Sequence, residues 1–355
     1  MEILVDYGVF LLEVVTIVAA LTFLIVVVAR AARMKPPERG RLKVSKLNKR
    51  YQELGDVIRK EALSHADYRL QLRQRRKEEK ARKKTRQGSR AAKGDGEPPS
   101  DQAPSRVFVL SFDGDLRATA VESLRKEITS LLTVARTGDR AVLKIESAGG
   151  LVHSYGLAAS QLERLRAKGV EVTACVDRIA ASGGYMMACV ADRVVAAPFA
   201  VVGSIGVAAT VPNFHRLLDR HSVDVEQIYS GEYKRTLTLF GENTDKGRKK
   251  LTEQVEETHQ LFKSFVKEHR PEADMERVST GEHWYGQQAL ELGLVDEIAT
   301  SDEVLLKASE EAELFEVRYE RKRHVGERVT ELVAMMLKRT FRAGLEAERE
   351  GRYES

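Results

Sequence analysis

Cysteine is nearly absent from this chain. The only two, Cys175 and Cys189, lie in apolar runs with no C-x-x-C or other metal-ligand spacing. A disulfide framework is thereby excluded, and both thiols read as reduced core residues. The eight histidines show no zinc-type spacing either, so no metal site is expected. Aromatic residues make up only 6% of the chain, and Trp284 is the single tryptophan. In the most basic stretch, residues 30–93, the only aromatics are Tyr51 and Tyr68. Base stacking needs more than that, so no nucleic-acid partner is expected there.

Acidic charge is also scarce in that stretch. It holds 23 Lys/Arg against 7 Asp/Glu, a net of +16, so the chain total of +5 leaves −11 for everything else. A basic arm is joined to an acidic remainder, and the high isoelectric point describes the arm. Attraction to anionic lipid headgroups accounts for such an arm. With 355 residues there is room for one large domain or two small ones.

Ahead of the arm, Ile3 to Ala29 contains no basic residue and only Asp6 and Glu13 as charges. From Val14 to Ala29 it is apolar apart from two threonines, long enough with its flank to cross the hydrocarbon core as a helix. A cleaved signal peptide would open with a positive region, whereas this chain opens with Glu2 and Asp6. A retained anchor over residues 1–30 is the expectation. Arg30, Arg33, Lys35, Arg39, Arg41 and Lys43 follow at once, which places the bulk of the chain on the cytoplasmic side by the positive-inside rule.

Residues 31–93 read as a basic juxtamembrane helical region, with sparse apolar points at Leu42, Leu47, Leu54, Ile58 and Leu63. Residues 94–105, rich in Pro, Gly, Ser and Asp, read as a flexible linker. An α/β domain then begins. Strands are expected at 106–112, 140–146 and 170–176, with helices over 118–135 and 151–167. That alternation with short turns implies right-handed crossovers and a parallel sheet. Ile179 to Val211 is apolar enough to suggest a second span, but Asp192, Arg193 and Pro198 interrupt it, and a buried core is the better account. A strand is expected over 223–229, a loop over 230–244 and a long amphipathic helix over 245–268. The tail, residues 321–355, carries an amphipathic helix over 328–342, suited to a partner or a membrane surface.

One serine stands out. Ser182, in Ala181-Ser-Gly-Gly184, lies between an apolar strand and an apolar helix with no bulk on either side. A helix start there offers free N–H groups and positive potential to a forming anion. The same residue also fits a plain helix N-cap. If it is a nucleophile it needs a base. No G-x-S-x-G elbow surrounds it, His153 and His283 are available histidines, and Lys234 lies on the 230–244 loop. An amine held among apolar groups accepts a proton near neutral pH more readily than a solvated one.

Several segments agree in order and spacing with one family. Ala181-Ser-Gly-Gly-Tyr185, Gly203-Ser-Ile-Gly-Val207, Tyr233-Lys234, Phe240-Gly-Glu-Asn-Thr244, Glu257-Thr-His-Gln-Leu-Phe262 and Gly281-Glu-His-Trp-Tyr-Gly-Gln-Gln288, with Gly293-Leu-Val-Asp296, resemble the signal-peptide-peptidase family of serine–lysine membrane proteases. The resemblance covers residues 106–320. It implies a crotonase/ClpP-like fold of repeated ββα units, with the N-terminal transmembrane helix and basic region added. It also implies a bacterial inner-membrane endopeptidase acting on peptide or protein substrates, with membrane lipids around it, assembled as a homo-oligomeric ring and using no cofactor. Position by position, Ser182 would be the nucleophile and Lys234 the general base. The N–H groups of Gly183 and Gly150 would form the oxyanion hole, and Ser204 would hold the Lys234 amine.

One departure stands in the oxyanion loop. Family members usually carry Asn-Ser-Pro-Gly-Gly where this chain has Glu146-Ser-Ala-Gly-Gly150. Ala148 removes a fixed φ, and Glu146 brings a carboxylate close to the site. Two other functions share parts of this pattern. A crotonase-type acyl-CoA enzyme would share the oxyanion hole without needing Ser182 or Lys234. A catalytically weak membrane scaffold would use only the arm and tail.

Overall fold

The computed structural model describes residues 40–74 and 105–321, together with residues 15, 16, 77 and 81. The expected anchor, the linker up to residue 104 and the 328–342 helix therefore lie outside the described residues, apart from Val15 and Thr16. The chain divides into two compact units. One is Met1–Arg41 with Glu320–Ser355, and the other is Leu42–Tyr319. The larger unit carries everything that follows. Among the described residues no helix is long and apolar enough to cross a membrane.

The elements run β1 (Gly40–Lys46), α1 (Leu47–Ala62), β2 (Arg106–Gly114), α2 (Val121–Leu132), β3 (Arg140–Ser147), α3 (Val152–Ala167), β4 (Glu171–Val176), β5 (Ile179–Ala181) and α4 (Gly183–Ala188). They continue with β6 (Arg193–Ala196), β7 (Val201–Gly203), α5 (His215–Arg220), α6 (Asp245–His269), α7 (Met275–Val278), β8 (His283–Tyr285), α8 (Gly286–Glu291), β9 (Glu297–Ile298), α9 (Ser301–Glu311) and β10 (Glu313–Arg321). The main sheet has the order β1-β10-β2-β3-β4-β6-β9, and its β10-β2-β3-β4-β6-β9 part is parallel.

Parallel strands covered on both faces read as nearly continuous apolar runs, and β2, β3 and β4 do. Alternation sends Phe108, Leu110 and Phe112 of β2 to one core and Val107 and Val109 to the other. The larger core is roofed by α2, α3, α4 and part of α6, through Leu124, Ile128, Leu162, Met187 and Phe262. The smaller is closed by Leu47 of α1 and Leu305 of α9. The apolar stretch after Ile179 is packed inside as β5, α4, β6 and β7, with Ala180, Tyr185, Val194 and Val202 wholly buried, as its interrupting charges suggest.

Two segments depart from the sequence expectation. Residues 40–46, expected to be helical, form strand β1 beside β10. Residues 223–229, expected as a strand, form no strand and have no ladder partner. A β-branched run becomes a strand only where a sheet edge is within reach, and none reaches this one.

The feature that matters for function is a fork. β3 pairs with β4 along most of its length, but its last residue, Ser147, pairs with Ala180 of β5. β5 in turn pairs with β7 in parallel, with Ala181 opposite Gly203. Because all three strands point the same way, the turns after Ser147, Ala181 and Gly203 emerge together at one end. Open α/β sheets place their binding crevices at such strand ends.

Candidate active site

Ser182 occupies the turn between β5 and α4 at φ +51° and ψ −118°. A non-glycine side chain in that region is strained by about 1–3 kcal/mol, a cost sustained only when the surroundings dictate it. Here they do. The Ser182 N–H donates to Gly203 O at 2.7 Å, tying the turn to the end of β7. The Ser182 C=O accepts from Met186 N at 2.9 Å as the first bond of α4. The Ser182 side chain has no capping bond to α4, so the helix-cap reading of this serine is not the one adopted. Its hydroxyl is half-buried and presented where the strand stops. The absent G-x-S-x-G pattern did not prevent a sharp strand-to-helix turn of the same kind.

The loop after β3 lies directly against this turn. Gly149 adopts φ +91°, and a Cβ there would stand 2.7 Å from both Ser182 Cβ and Gly183 N. Gly150 runs so close to the Leu116 carbonyl that a side chain would collide with it. The loop is pinned by Leu151 N–H to Leu116 O at 2.9 Å and by Gly149 N–H to Ser147 Oγ at 3.1 Å. Those bonds do what the missing proline would otherwise do. Ala148 itself is exposed. Glu146, the other departure, forms an ion pair with Arg178 at 2.7 Å, on the outer surface just before β5. Its charge is met by a guanidinium.

Gly183 is the first residue of α4, so its N–H is one of the orphan donors that a helix start leaves. The helix is six residues long, and its field adds to a short row of backbone donors rather than acting alone. The arrangement offers a strained serine hydroxyl, a glycine loop at its shoulder and backbone donors beside it. A tetrahedral oxyanion formed at Ser182 would find its donors among the peptide N–H groups there.

The sequence matches Peptidase family S49 N-terminal over residues 2–162 and Peptidase family S49 over residues 164–315. It is 45% identical over 326 residues to "Probable protease SohB" of Haemophilus influenzae, covering 91% of this chain and 90% of that one. It is 41% identical over 307 residues to "Probable protease SohB" of Buchnera aphidicola subsp. Schlechtendalia chinensis, covering 86% and 99%. The chain belongs to peptidase family S49. A "Putative protease" of Methanocaldococcus jannaschii is 31% identical over 216 residues, 60% of this chain and 64% of that one.

Ser204 follows β7 at φ +51°, and its hydroxyl donates to Gly281 O at 3.4 Å. Lys234 is exposed on the 230–244 loop, where its backbone N–H bonds to Gly231 O at 3.1 Å. Among the described residues, no hydrogen bond joins the Lys234 amine to Ser182 or Ser204. Within this chain the Lys234 amine is therefore not held among apolar groups. The alternative bases, His153 and His283, are both exposed, and neither bonds to Ser182. The structure thus brings Gly149 against Ser182 and Gly183, packs the neighbouring Gly150 on the Leu116 carbonyl, and leaves Lys234 at the surface. No group of three or more His, Cys, Asp or Glu able to hold a metal occurs among the described residues.

Several quoted motif residues turn out to be braces. Tyr185 donates to Leu294 O at 2.8 Å, locking α4 to the Gly293-Leu-Val-Asp296 turn. Asp296 accepts from Val194 N at 2.6 Å and from Arg270 at 2.7 and 2.8 Å. Burial works upward on the Asp296 carboxyl, but the Arg270 and Val194 bonds outweigh it and hold its pKa below the usual range. His259 on α6 bonds through Nε2 to Ile205 O at 3.2 Å, steadying the turn that carries Ser204. Asp177 accepts from Ser301 N at 2.7 Å and Ser301 Oγ at 2.5 Å, fixing the start of α9. None of these roles has a local sequence signal, since each partner lies far along the chain.

Proposed function

We propose that the chain is a membrane-anchored serine endopeptidase working by a Ser182–Lys234 dyad on a crotonase/ClpP-like fold at the bacterial inner membrane. Ser182 Oγ attacks the scissile carbonyl carbon while the neutral amine of Lys234 takes its proton. The carbonyl oxygen becomes an oxyanion received by the N–H groups of Gly150 and Gly183. Collapse of the tetrahedral species breaks the C–N bond, and Lys234 gives the proton to the leaving amine. Water, deprotonated by the same amine, then releases the acyl group. Substrates in this reading are signal-peptide remnants or other membrane-associated peptides.

The observation that carries the reading is the strained Ser182 turn with the Gly149-Gly150 loop pressed against it. The exposure of Lys234 fits the homo-oligomer. The segment around it leaves Phe214, Leu217, Val223 and Tyr229 open to solvent, and Ile228 is 95% exposed. A second copy covering this arm would take the lysine amine out of water, the condition under which an ammonium group gives up its proton more readily. Ser204 would then orient that amine.

Hydrolysis of a fluorogenic peptide by the full chain in detergent tests the dyad. Ser182→Ala and Lys234→Ala should each lower kcat roughly 10⁴-fold or more with the melting transition retained. Substantial hydrolysis by pure Lys234→Ala protein would overturn the dyad. A reporter fused after Ser355 locates the catalytic unit, and the positive-inside rule expects it in the cytoplasm.

A further inference from the structure

A fully buried tyrosine touches both halves of the glycine cradle around Ser182. Tyr155 lies in the first turn of α3, four residues beyond Leu151, with no exposed surface. Its ring meets Phe112 edge-on, with centroids 6.1 Å apart. Its hydroxyl donates to Asp115 O at 2.7 Å. The same oxygen lies 2.6 Å from Ser147 Oγ, which in turn accepts from Gly149 N at 3.1 Å. Gly114 O, 3.2 Å from Ser147 Oγ, offers that hydroxyl a second, longer acceptor.

Gly149 N, Ser147 Oγ and Tyr155 Oη each have one hydrogen to give, and the two carbonyls only accept. Tyr155 gives its own to Asp115 O, so Ser147 supplies the short bond between the two hydroxyls. The result is a directed chain, from Gly149 N–H to Ser147 Oγ–H to Tyr155 O–H to Asp115 C=O. Such chains polarise one another, and each bond strengthens the next. Burial pushes the Tyr155 phenol up, so it stays protonated as a donor at working pH. The far side of the same residue bears on the other half of the cradle. A Cβ at Gly183 would stand 2.7 Å from Tyr155 Cδ2, so the tyrosine ring forms the floor on which the start of α4 rests.

We propose that Tyr155 is the positioning residue of the oxyanion site, aligning the Gly150 donor through its hydroxyl chain and the Gly183 donor through its ring. This rests on the reading of those two amides as the oxyanion hole. A residue that sets two donors with one rigid side chain couples the β3 loop to the α4 start, although neither donor is a side chain that mutation could remove. It also explains how the loop keeps its shape with Ala148 in place of proline.

The test uses Tyr155→Phe in the full chain. That change keeps the ring on Gly183 and removes only the hydroxyl from the chain. Kinetics are normalised to the fraction of Ser182 that a fluorophosphonate titrates, so loss of folded protein does not count as loss of rate. The expected result is kcat lower by about 10–100-fold with KM within about twofold, less than the full loss of a donor. Affinity for a peptide aldehyde, which forms a hemiacetal oxyanion on Ser182, should fall by about the same factor as kcat. Ser147→Ala should match it, and the double variant should be little worse than either single one, because both break one chain.

Wild-type kcat in Tyr155→Phe would overturn the proposal, as would a loss confined to KM or fully additive effects in the double variant. If Ser182→Ala protein still cleaves the peptide, the nucleophile reading itself fails. If Ser182→Ala is inactive while Tyr155→Phe keeps wild-type kcat, only the role of Tyr155 fails.

Discussion

At Ser182 and Gly149 two residues hold backbone angles that most side chains resist, and they hold them against each other. The strain at Ser182 is tolerable because Gly203 O fixes its N–H and the glycine loop gives its Cβ room. Gly149→Ala removes that room and meets positive φ as well. We expect peptidase activity to fall at least about 100-fold, the cost of one lost oxyanion donor, measured as kcat on a fluorogenic peptide. The cysteines act in the opposite sense. Burial pushes the Cys175 thiol up to about 12, and that of Cys189 higher still. Neither is a thiolate at neutral pH, so native protein should keep its peptidase activity after iodoacetamide treatment, and mass spectrometry should find both thiols unmodified.

Among elements, what the sequence made legible depended on whether one segment contained the whole signal. β2, β3 and β4 were readable because a strand buried on both faces is apolar throughout, and α2 and α3 because their apolar residues recur at helical spacing. The turn at Ser182 was legible as a strand-to-helix junction, because small residues stand there between an apolar strand and an apolar helix, while its hydroxyl fitted a helix cap as well as a nucleophile. Tyr155 was not, because its partners at Ser147, Asp115 and Gly183 are joined only by the fold. β1 was not either, since Gly40–Lys46 becomes a strand only beside β10, more than 260 residues later. Asn48 at the start of α1 shows how that junction holds. Its Nδ2 donates to Ser309 O and Ala312 O at 3.1 and 2.9 Å, and its Oδ1 accepts from Leu314 N at 2.8 Å. Asn48→Ala leaves three backbone groups unpaired in a half-buried seam. We expect a loss of about 2–3 kcal/mol in chemical denaturation, with kcat unchanged.

Over the whole molecule, charge is divided between a basic arm, net +16, and an acidic remainder, net −11. The acidic part depends on carboxylates that must stay ionised. The Asp296 pKa is depressed by Arg270 and Val194, so its stabilisation is present above the unfolded pKa of about 4 and is lost as pH falls through its lower folded value. The melting temperature should therefore drop on acidification below about pH 4, and Asp296→Asn should show a shallower drop from a lower starting point. With the carboxylate partly open to water, the neutral-pH deficit should be about 2 kcal/mol.

A fluorophosphonate probe on the intact chain, followed by peptide mapping, addresses the nucleophile most directly. Covalent label on Ser182, absent from Ser182→Ala and competed by a peptide aldehyde, is the expected result. Failure of the active protein to label at Ser182, or peptidase activity surviving in Ser182→Ala, would contradict the assignment.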